Sequence, residues 1–197
     1  NHERIFCLAS GGGQQGPILA ATGADVTVFD NSTKQLEKDN FVALRDNLKI
    51  KTVQGNMQDL SAFKDETFDC IVHPWSNGYI DNVLPVWKEC ARVLKKNGLL
   101  LSGFGNPIEY IFDSGKIDQG ILEVKYSIPY ADIDHLDDPE IKQIVESGGY
   151  IWSHTLEDQI QGQIAAGFAI IGFYEDIGGT VLDNYINSSI ATKAIKL

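Results

Sequence analysis

The feature that most limits how this chain can fold is an apolar run that enters a cluster of glycines, followed by a second apolar run that ends on a carboxylate. The first run spans residues 5–9, the glycines lie within 11–16, and the second run, 25–29, ends at Asp30. Glycines let the backbone turn sharply and let a ligand approach with no Cβ in the way. A carboxylate after the second strand can accept hydrogen bonds from two ribose hydroxyls. This pattern is typical of the front half of a βαβ unit that binds a nucleoside-containing cofactor.

Composition limits the class of protein and its partners. The chain has 197 residues, which suits a single domain spanning 1–197, and its 43% hydrophobic and 22% charged residues are those of an ordinary globular protein. Its 16 basic and 27 acidic residues give a net charge of -11, which repels phosphate backbones, so we expect no nucleic-acid partner. No apolar stretch is long enough to span a membrane, and we expect a cytoplasmic protein, either monomer or homodimer.

The cysteines and the N-terminus carry two further expectations. Cys7, Cys70 and Cys90 lie in apolar contexts without paired spacing, which predicts buried reduced thiols and neither a disulfide framework nor a metal site. The chain starts at Asn1 without an initiator methionine, and its first strand begins almost at once. We therefore expect that an N-terminal segment is absent.

Strands alternate with helices through the first half of the chain, which predicts a mostly parallel sheet covered on both faces. The predicted strands cover residues 4–9, 25–30, 50–54, 68–73 and 99–104. The predicted helices cover 14–22, a segment from Ser32 to about Asn47 opened by a capping box of Ser32 with Gln35, and a segment capped by Asp81 or Asn82 and ended by Gly98.

The second half of the chain does not continue this alternation of strands and helices. Residues 107–150 hold most of the prolines and show no clean period, so we interpret them as an insertion on the substrate side with one strand at about 121–128. Thr155 with Asp158 predicts a helix cap, with Leu156, Ile160 and Ile164 on the inner face of the helix. Two β runs, 168–174 and 190–196, predict an antiparallel hairpin at the sheet edge.

The glycines alone do not identify the cofactor. The spacing Gly11-x-Gly13-x-x-Gly16 formally satisfies the dinucleotide fingerprint, so an NAD-type oxidoreductase is one interpretation. A pyrophosphate favours a helix N-terminus with bare amides. Gln14 and Gln15 open this helix, and they suit a ligand without phosphates equally well.

Several segments together resemble the class I S-adenosylmethionine-dependent methyltransferases, strongly over residues 4–110 and by strand pattern beyond. Residues 7–13 resemble the family's first motif, with Cys7 where an acid is usual and Ala9 where a glycine is usual. The most specific match is Trp87–Leu101, which is similar to the family's helix-then-strand segment. The resemblance implies a three-layer α/β/α, Rossmann-like sheet of seven strands, mostly parallel with an antiparallel C-terminal hairpin.

The resemblance also implies a cofactor and the residues that hold it. S-adenosylmethionine is the expected cofactor and S-adenosylhomocysteine the product. Asp30 resembles the ribose-binding acid, and the segment after the third strand resembles the part that edges the adenine. The implied cofactor-binding residues are Ala9, Ser10, Gly11, Gly12, Gly13, Asp30, Asn31, Asn56, Met57, Gln58 and His73.

No catalytic residue is identified, because methyl transfer is an in-line displacement in which alignment matters most and a base is optional. His73, Tyr79 and His154 are the weak candidates. His73 either deprotonates the acceptor or is a structural histidine that contacts the cofactor or the backbone. Trp75 and Tyr79 either wall a substrate pocket or simply pack. The segment 150–154 either folds over the same opening or only leads into the late helix.

These observations favour an enzyme that transfers a methyl group from S-adenosylmethionine to a small-molecule acceptor. The small-molecule assignment depends on the acidic charge and on the absence of a recognisable nucleic-acid module. Two alternatives stay open: an NAD-type oxidoreductase, and a module that binds S-adenosylmethionine without catalysis.

Overall fold

Seven strands form one sheet in the order β3-β2-β1-β4-β5-β7-β6 in the computed structural model, which describes residues 3–197. Neighbouring strands are parallel except β7, which is antiparallel to both β5 and β6. The mostly parallel sheet with an antiparallel C-terminal pair is thus confirmed. The strands are β1 (Arg4–Leu8), β2 (Asp25–Asp30), β3 (Ile50–Gln54), β4 (Phe68–Pro74), β5 (Leu94–Gly105), β6 (Phe168–Asp176) and β7 (Ser189–Lys196).

Helices cover both faces of the sheet, because successive side chains of a strand point to opposite sides. Ile5 and Cys7 of β1 pack in one apolar cluster with Leu36 of α2, whereas Phe6 and Leu8 pack in another with Trp87 of α3. The three-layer arrangement is therefore confirmed. The helices are α1 (Gln15–Ala21), α2 (Thr33–Arg45), α3 (Leu84–Val93), α4 (Ser114–Ile117), α5 (Pro139–Gly148) and α6 (Gly162–Ala165). Within residues 3–197 we find no helix with the length and apolar character that crossing a bilayer requires.

The junction between α3 and β5 differs from the prediction. The helix ends at Val93 rather than at Gly98, and residues 94–98 already belong to β5. Lys95 reaches across to Asp69 of β4 with an ion pair of 2.6 Å, and the register between the two strands shifts beside it. This irregular start of the strand takes the place of the last helical turn.

The predicted strand at 121–128 is wrong. Only an isolated bridge joins Phe112 to Val124, and Val124 is 66% exposed. The amides of Lys125 and Tyr126 donate to the carbonyl of Ile111 instead of to a strand. The predicted insertion contains two helices that we did not predict, α4 and α5, and Asp138 caps α5 by accepting from the Glu140 amide.

The late helix begins at its predicted cap but buries a different face. Thr155 and Asp158 bond to each other as expected. A π-helical turn over Glu157–Gln161 adds a residue and shifts the phase of the helix. The buried residues are consequently Gln159, Gly162 and Gln163, while Leu156 and Ile164 are exposed. A Cβ on Gly162 would lie 2.8 Å from the Trp87 ring, so only glycine allows this close approach to α3.

Candidate functional site

A cavity of about 860 Å³ opens at the carboxyl ends of β1, β2 and β4. Open parallel sheets bind ligands at this edge. The lining includes seven of the eleven predicted cofactor-binding residues, namely Ala9, Ser10, Gly11, Asp30, Asn31, Asn56 and Met57, together with the candidate Tyr79. Gly12, Gly13, Gln58 and His73 do not line it. Contact of any of these residues with a cofactor stays a prediction.

The glycine loop, residues 9–13, turns sharply between β1 and α1. Gly11 has φ +70 and a Cβ there would meet no atom within 4 Å, so its backbone is open toward the cavity. Gly12 is different, since a Cβ there would lie 2.1 Å from the carbonyl oxygen of Gln35. Gly12 is therefore needed for its close packing against α2, whereas a Cβ on Gly13 would make only ordinary contacts with α2 and glycine is favoured there by φ +78.

Two side chains of α2 hold the glycine loop from behind. Gln35 Oε1 accepts from the Gly12 amide at 2.9 Å, and Asp39 Oδ1 accepts from the Gly13 amide at 2.9 Å. The capping box expected between Ser32 and Gln35 is wrong, because the Gln35 side chain is used on the loop instead. Sequence reasoning missed both residues. The available signal was a carboxylate, Asp39, on the apolar stripe of α2 between Leu36 and Ala43.

Removing the Gln35 acceptor is expected to loosen the loop. We expect Gln35→Ala to weaken S-adenosylhomocysteine binding by roughly fivefold, the equivalent of about one hydrogen bond. Gln35→Glu keeps an acceptor oxygen at the same reach and should retain most of the affinity. Titration calorimetry measures both variants, and equal losses in the two would contradict the role of this hydrogen bond.

Asp30 ends β2 at the rim of the cavity. Its Oδ1 accepts from the Ser32 amide at 2.8 Å, which fixes the carboxylate over the opening. Burial raises the pKa of Asp30, and the Ser32 hydrogen bond offsets part of that effect. A half-buried carboxylate at this place can accept hydrogen bonds from neighbouring hydroxyl groups.

The loop after β3 forms another side of the cavity. Gly55 packs on the ring of Phe29, where a Cβ would lie only 2.3 Å from the ring. Asn56 is exposed, and its Oδ1 already accepts from the Gln58 amide. The Gln58 side chain turns away and donates to Asp81 and to the Asn82 carbonyl. Asn56 and Met57 are thus at the cavity, whereas Gln58 braces the loop.

His73 and His154 do not suit the role of a general base. His73 is fully buried, with Nδ1 2.9 Å from the Leu8 carbonyl and Nε2 2.6 Å from Asn77 Oδ1. His154 is 8% exposed, and its Nε2 lies 2.9 Å from the Asn77 carbonyl. The structural interpretation of His73, as a histidine that contacts the backbone, agrees with this geometry. Of the three catalytic candidates only Tyr79 lines the cavity.

Four aromatic side chains form the opposite side of the cavity, which we call the aromatic wall: Trp75, Tyr79, Tyr150 and Trp152. Trp75 has φ +54, a costly backbone conformation for a bulky residue. The Trp152 amide donates to the Gly78 carbonyl at 2.8 Å and joins the late segment to the loop after β4. The segment around 150–152 therefore does fold over the opening.

The residues present fit a nucleoside with an amino-acid tail. Ser10 is 5% exposed, its Oγ finds no hydrogen-bond partner among the described residues, and it lies at the cavity beside Gly11. A buried hydroxyl without a partner is costly unless a ligand satisfies it. Cys7 lies in the apolar cluster under α1, and burial raises the pKa of its thiol to about 12.

Glu109 adds an unusual charge next to the aromatic wall. Its carboxylate lies beside Gly105, which packs against the Trp75 ring. Burial, with nearby Asp183, raises the pKa of Glu109 to about 7. The folded protein holds this proton more tightly than the unfolded chain, whose glutamate titrates near 4.5. The stabilisation is therefore complete below pH 4.5 and is lost as the pH rises through 7.

Glu109→Gln is expected to raise the free energy of unfolding at pH 8 by about 1 to 2 kcal/mol, a figure already reduced for solvent screening of a half-buried group. At pH 4 the variant and the parent should be equally stable. Urea unfolding at both pH values measures the difference. Glu37→Gln, on the exposed face of α2, controls for loss of a surface charge. A gain of the same size at both pH values would show that ionisation of Glu109 is not the cause.

Comparison with known proteins decides the family. The family described as "Methyltransferase domain" matches residues 6–102. A protein of Bacillus subtilis (strain 168) named Uncharacterized methyltransferase YbaJ is 57% identical over 195 residues, covering 98% of this chain and 76% of that protein. The chain belongs to the methyltransferase family.

Solved structures agree with this methyltransferase assignment at the level of the fold. A crystal structure of an S-adenosylmethionine-dependent methyltransferase from Mesorhizobium loti has a TM-score of 0.77 at 15% identity, covering 100% of this chain and 92% of that one. The [4+2]-cyclase SpnF has a TM-score of 0.68 at 16% identity, covering 100% and 76%. Because a cyclase shares the fold, the assignment of this methyltransferase rests on the family match and the close relative. Neither the family match nor this relative supports an NAD-type oxidoreductase.

Proposed function

We propose that this methyltransferase transfers a methyl group from S-adenosylmethionine to a small-molecule acceptor and releases S-adenosylhomocysteine. One observation carries the proposal: a single cavity is lined at its β2 and β1 end by Asp30 and the glycine loop, and at its β4 end by Trp75 and Tyr79 of the aromatic wall. The first end suits a nucleoside cofactor, and the second end suits a flat or apolar acceptor.

Each part of the cofactor has a matching group at the cavity. Asp30 accepts hydrogen bonds from the two ribose hydroxyls, and the backbone around Asn56 and Met57 edges the adenine. The glycine loop approaches the amino-acid end closely at Gly11, and Ser10 Oγ gains there the partner that it otherwise lacks.

The acceptor end works by alignment. The bound cofactor supplies a methyl group that is already activated by its sulfonium, so the main requirement on the chain is to hold the acceptor in line with it. Trp75, Tyr79, Tyr150 and Trp152 offer ring faces and edges for this purpose and exclude water as the acceptor enters. His73 does not deprotonate the acceptor, because both of its ring nitrogens already have hydrogen-bond partners.

The net charge of -11 also favours a small acceptor over a nucleic acid. We propose no nucleic-acid partner and no membrane partner for this reaction. The alternative of a binding module without catalysis is based on Cys7 and on the engagement of His73 and His154 in hydrogen bonds. Neither observation favours it over methyl transfer, because this reaction does not require a base.

Thermal unfolding with S-adenosylmethionine, S-adenosylhomocysteine or NAD tests the cofactor. Ligand at about a hundred times its dissociation constant adds roughly 2.7 kcal/mol, which for a domain of this size raises Tm by about 5 to 10 °C. We expect this rise with both sulfur ligands and none with NAD. A rise with NAD alone would overturn the proposal.

Turnover tests the acceptor class. Release of S-adenosylhomocysteine is measured over a panel of neutral aromatic, amine and thiol acceptors, with duplex DNA, RNA and unfolded protein as separate samples. We expect turnover with small molecules only. Turnover confined to a macromolecule would contradict the acceptor class while leaving the cofactor intact, and binding without any turnover would favour the non-catalytic module.

A further inference from the structure

A row of buried polar side chains crosses the protein beneath the cavity. His73 lies 2.9 Å from the Leu8 carbonyl, Asn77 lies 2.6 Å from His73, and Gln159 lies 2.8 Å from Asn77. His73, Asn77 and Gln159 are at most 3% exposed. We call these three residues the polar chain.

Hydrogen-bonding rules fix the direction of the polar chain. The Leu8 carbonyl only accepts, so Nδ1 of His73 carries the proton and donates to it. Burial lowers the pKa of His73, so the ring is neutral and Nε2 can only accept. In the structure Asn77 Oδ1 faces Nε2 and Asn77 Nδ2 donates to Gln159 Oε1. A neutral ring protonated at Nδ1 requires both side-chain amides to be turned over, so that Asn77 donates to Nε2 and Gln159 donates to Asn77. Every link is then satisfied without a buried charge.

The polar chain connects the two ends of the site. Leu8 directly precedes the glycine loop, which belongs to the cofactor end. Asn77 lies in the loop after β4, residues 75–80, which carries Trp75 and Tyr79 of the aromatic wall. The Asn77 carbonyl also bonds His154, and the Gly78 carbonyl bonds the Trp152 amide. The late segment of the wall is thus fastened to the same loop.

Beyond Gln159, further hydrogen bonds connect the polar chain to the sheet. Gln163 Nε2 donates to the Gln159 carbonyl, and Gln163 Oε1 accepts from Thr192 of β7. The π-helical turn that carries Gln159 brings it onto the buried face of the late helix. This turn does not contribute a cavity-lining residue to the site described above.

We infer that Asn77 and His73 are positioning residues, which fix the loop 75–80 and its aromatic wall relative to the glycine loop. The inference rests on the proposed function, since it concerns the alignment of acceptor with cofactor. In an in-line displacement a small misplacement of one partner is costly. A ligand on the glycine loop therefore orders, through the polar chain, segments that it does not touch.

Hydrogen exchange with S-adenosylhomocysteine as the probe tests this inference. In the parent protein the ligand should slow amide exchange over residues 157–163 by about fivefold, at the lower end of ordinary coupling between sites. In Asn77→Ala this slowing should disappear, while the protection of residues 9–13 remains and the ligand affinity changes less than about threefold. Ser102→Ala is the matched control, because Ser102 is buried beside His73 in the sheet and its hydroxyl finds no partner among the described residues.

The outcomes separate the inference from the proposed function. No binding of S-adenosylhomocysteine to the parent would count against the proposed function. Binding without slowed exchange at 157–163, or the same slowing in Asn77→Ala, would overturn the positioning role. If Asn77→Ala does not fold, Gln159→Met breaks the next link with a similar volume and is subject to the same criteria.

Nitrogen-15 shifts of the His73 ring should show Nδ1 protonated in the parent, and protonated Nε2 would contradict the assigned direction.

Discussion

Asp30→Ala is expected to weaken S-adenosylhomocysteine binding by about 100-fold, because two hydrogen bonds to a charged acceptor are lost at once. The fold should survive, since the Asp30 side chain lies at the rim of the cavity and is not in the apolar core. Titration calorimetry measures the affinity, and thermal unfolding without ligand checks the stability.

Two comparisons make this result specific to the carboxylate. Asp25→Ala removes an exposed carboxylate at the other end of the same strand and should leave binding unchanged. Since burial raises the pKa of Asp30, binding to the parent should weaken on acidification at a higher pH than for an ordinary aspartate. Asp30→Asn, which cannot ionise, should bind more weakly than the parent at neutral pH and should lose this pH dependence. If Asp30→Ala bound S-adenosylhomocysteine with full affinity, the proposed contact between Asp30 and the ribose would be wrong.

Gly12→Ala should lower the stability of the fold more than Asp30→Ala does. The added Cβ would lie 2.1 Å from the Gln35 carbonyl oxygen and 2.8 Å from Lys38 Cβ, so the glycine loop must move off α2. Overpacking against backbone costs about 3 kcal/mol, which corresponds to a fall in Tm of about 6 to 12 °C. The amide bond to Gln35 should break as well, and S-adenosylhomocysteine binding should weaken with it.

Gly148→Ala is the matched control for this loss. Gly148 closes α5, and a Cβ there would meet no atom within 4 Å. We expect its stability to stay within about 1 kcal/mol of the parent, with any change in the stabilising direction. If Gly12→Ala were as stable as the parent, the glycine loop would have room to move. The proposed role of Gly12 in packing against α2 would then be wrong.

Local pattern predicted the parallel half of the sheet because each of its elements has its own signal. Asp25–Asp30 agrees with the prediction at both ends, since an apolar run with Gly23 before it and Asp30 after it leaves little choice. The strand predicted at 121–128 failed because an apolar composition says nothing about whether a strand edge is within reach. In the structure the backbone amides of residues 125 and 126 both donate to the carbonyl of Ile111.

The site was predictable where a residue acts through its own chemistry and unpredictable where it acts through tertiary contact. Asp30 and Gly11 reach the cavity as expected, because the end of a strand fixes their place. Gln35 and Asp39 were missed because their partners are amides more than 20 positions away in the sequence. His73 looked like a base by residue type, and only its burial shows that its ring is committed to Leu8 and Asn77.

The place of β7 in the sheet has a consequence for synthesis on the ribosome. The strand formed from residues 189–196 lies between β5 and β6, although both of those strands emerge earlier. Until it emerges, β6 has no neighbour and β5 keeps an unpaired edge with apolar residues such as Leu101. Nascent chains of this enzyme should therefore stay prone to aggregation until residues 189–196 have left the ribosome, and they should depend on chaperones up to that point.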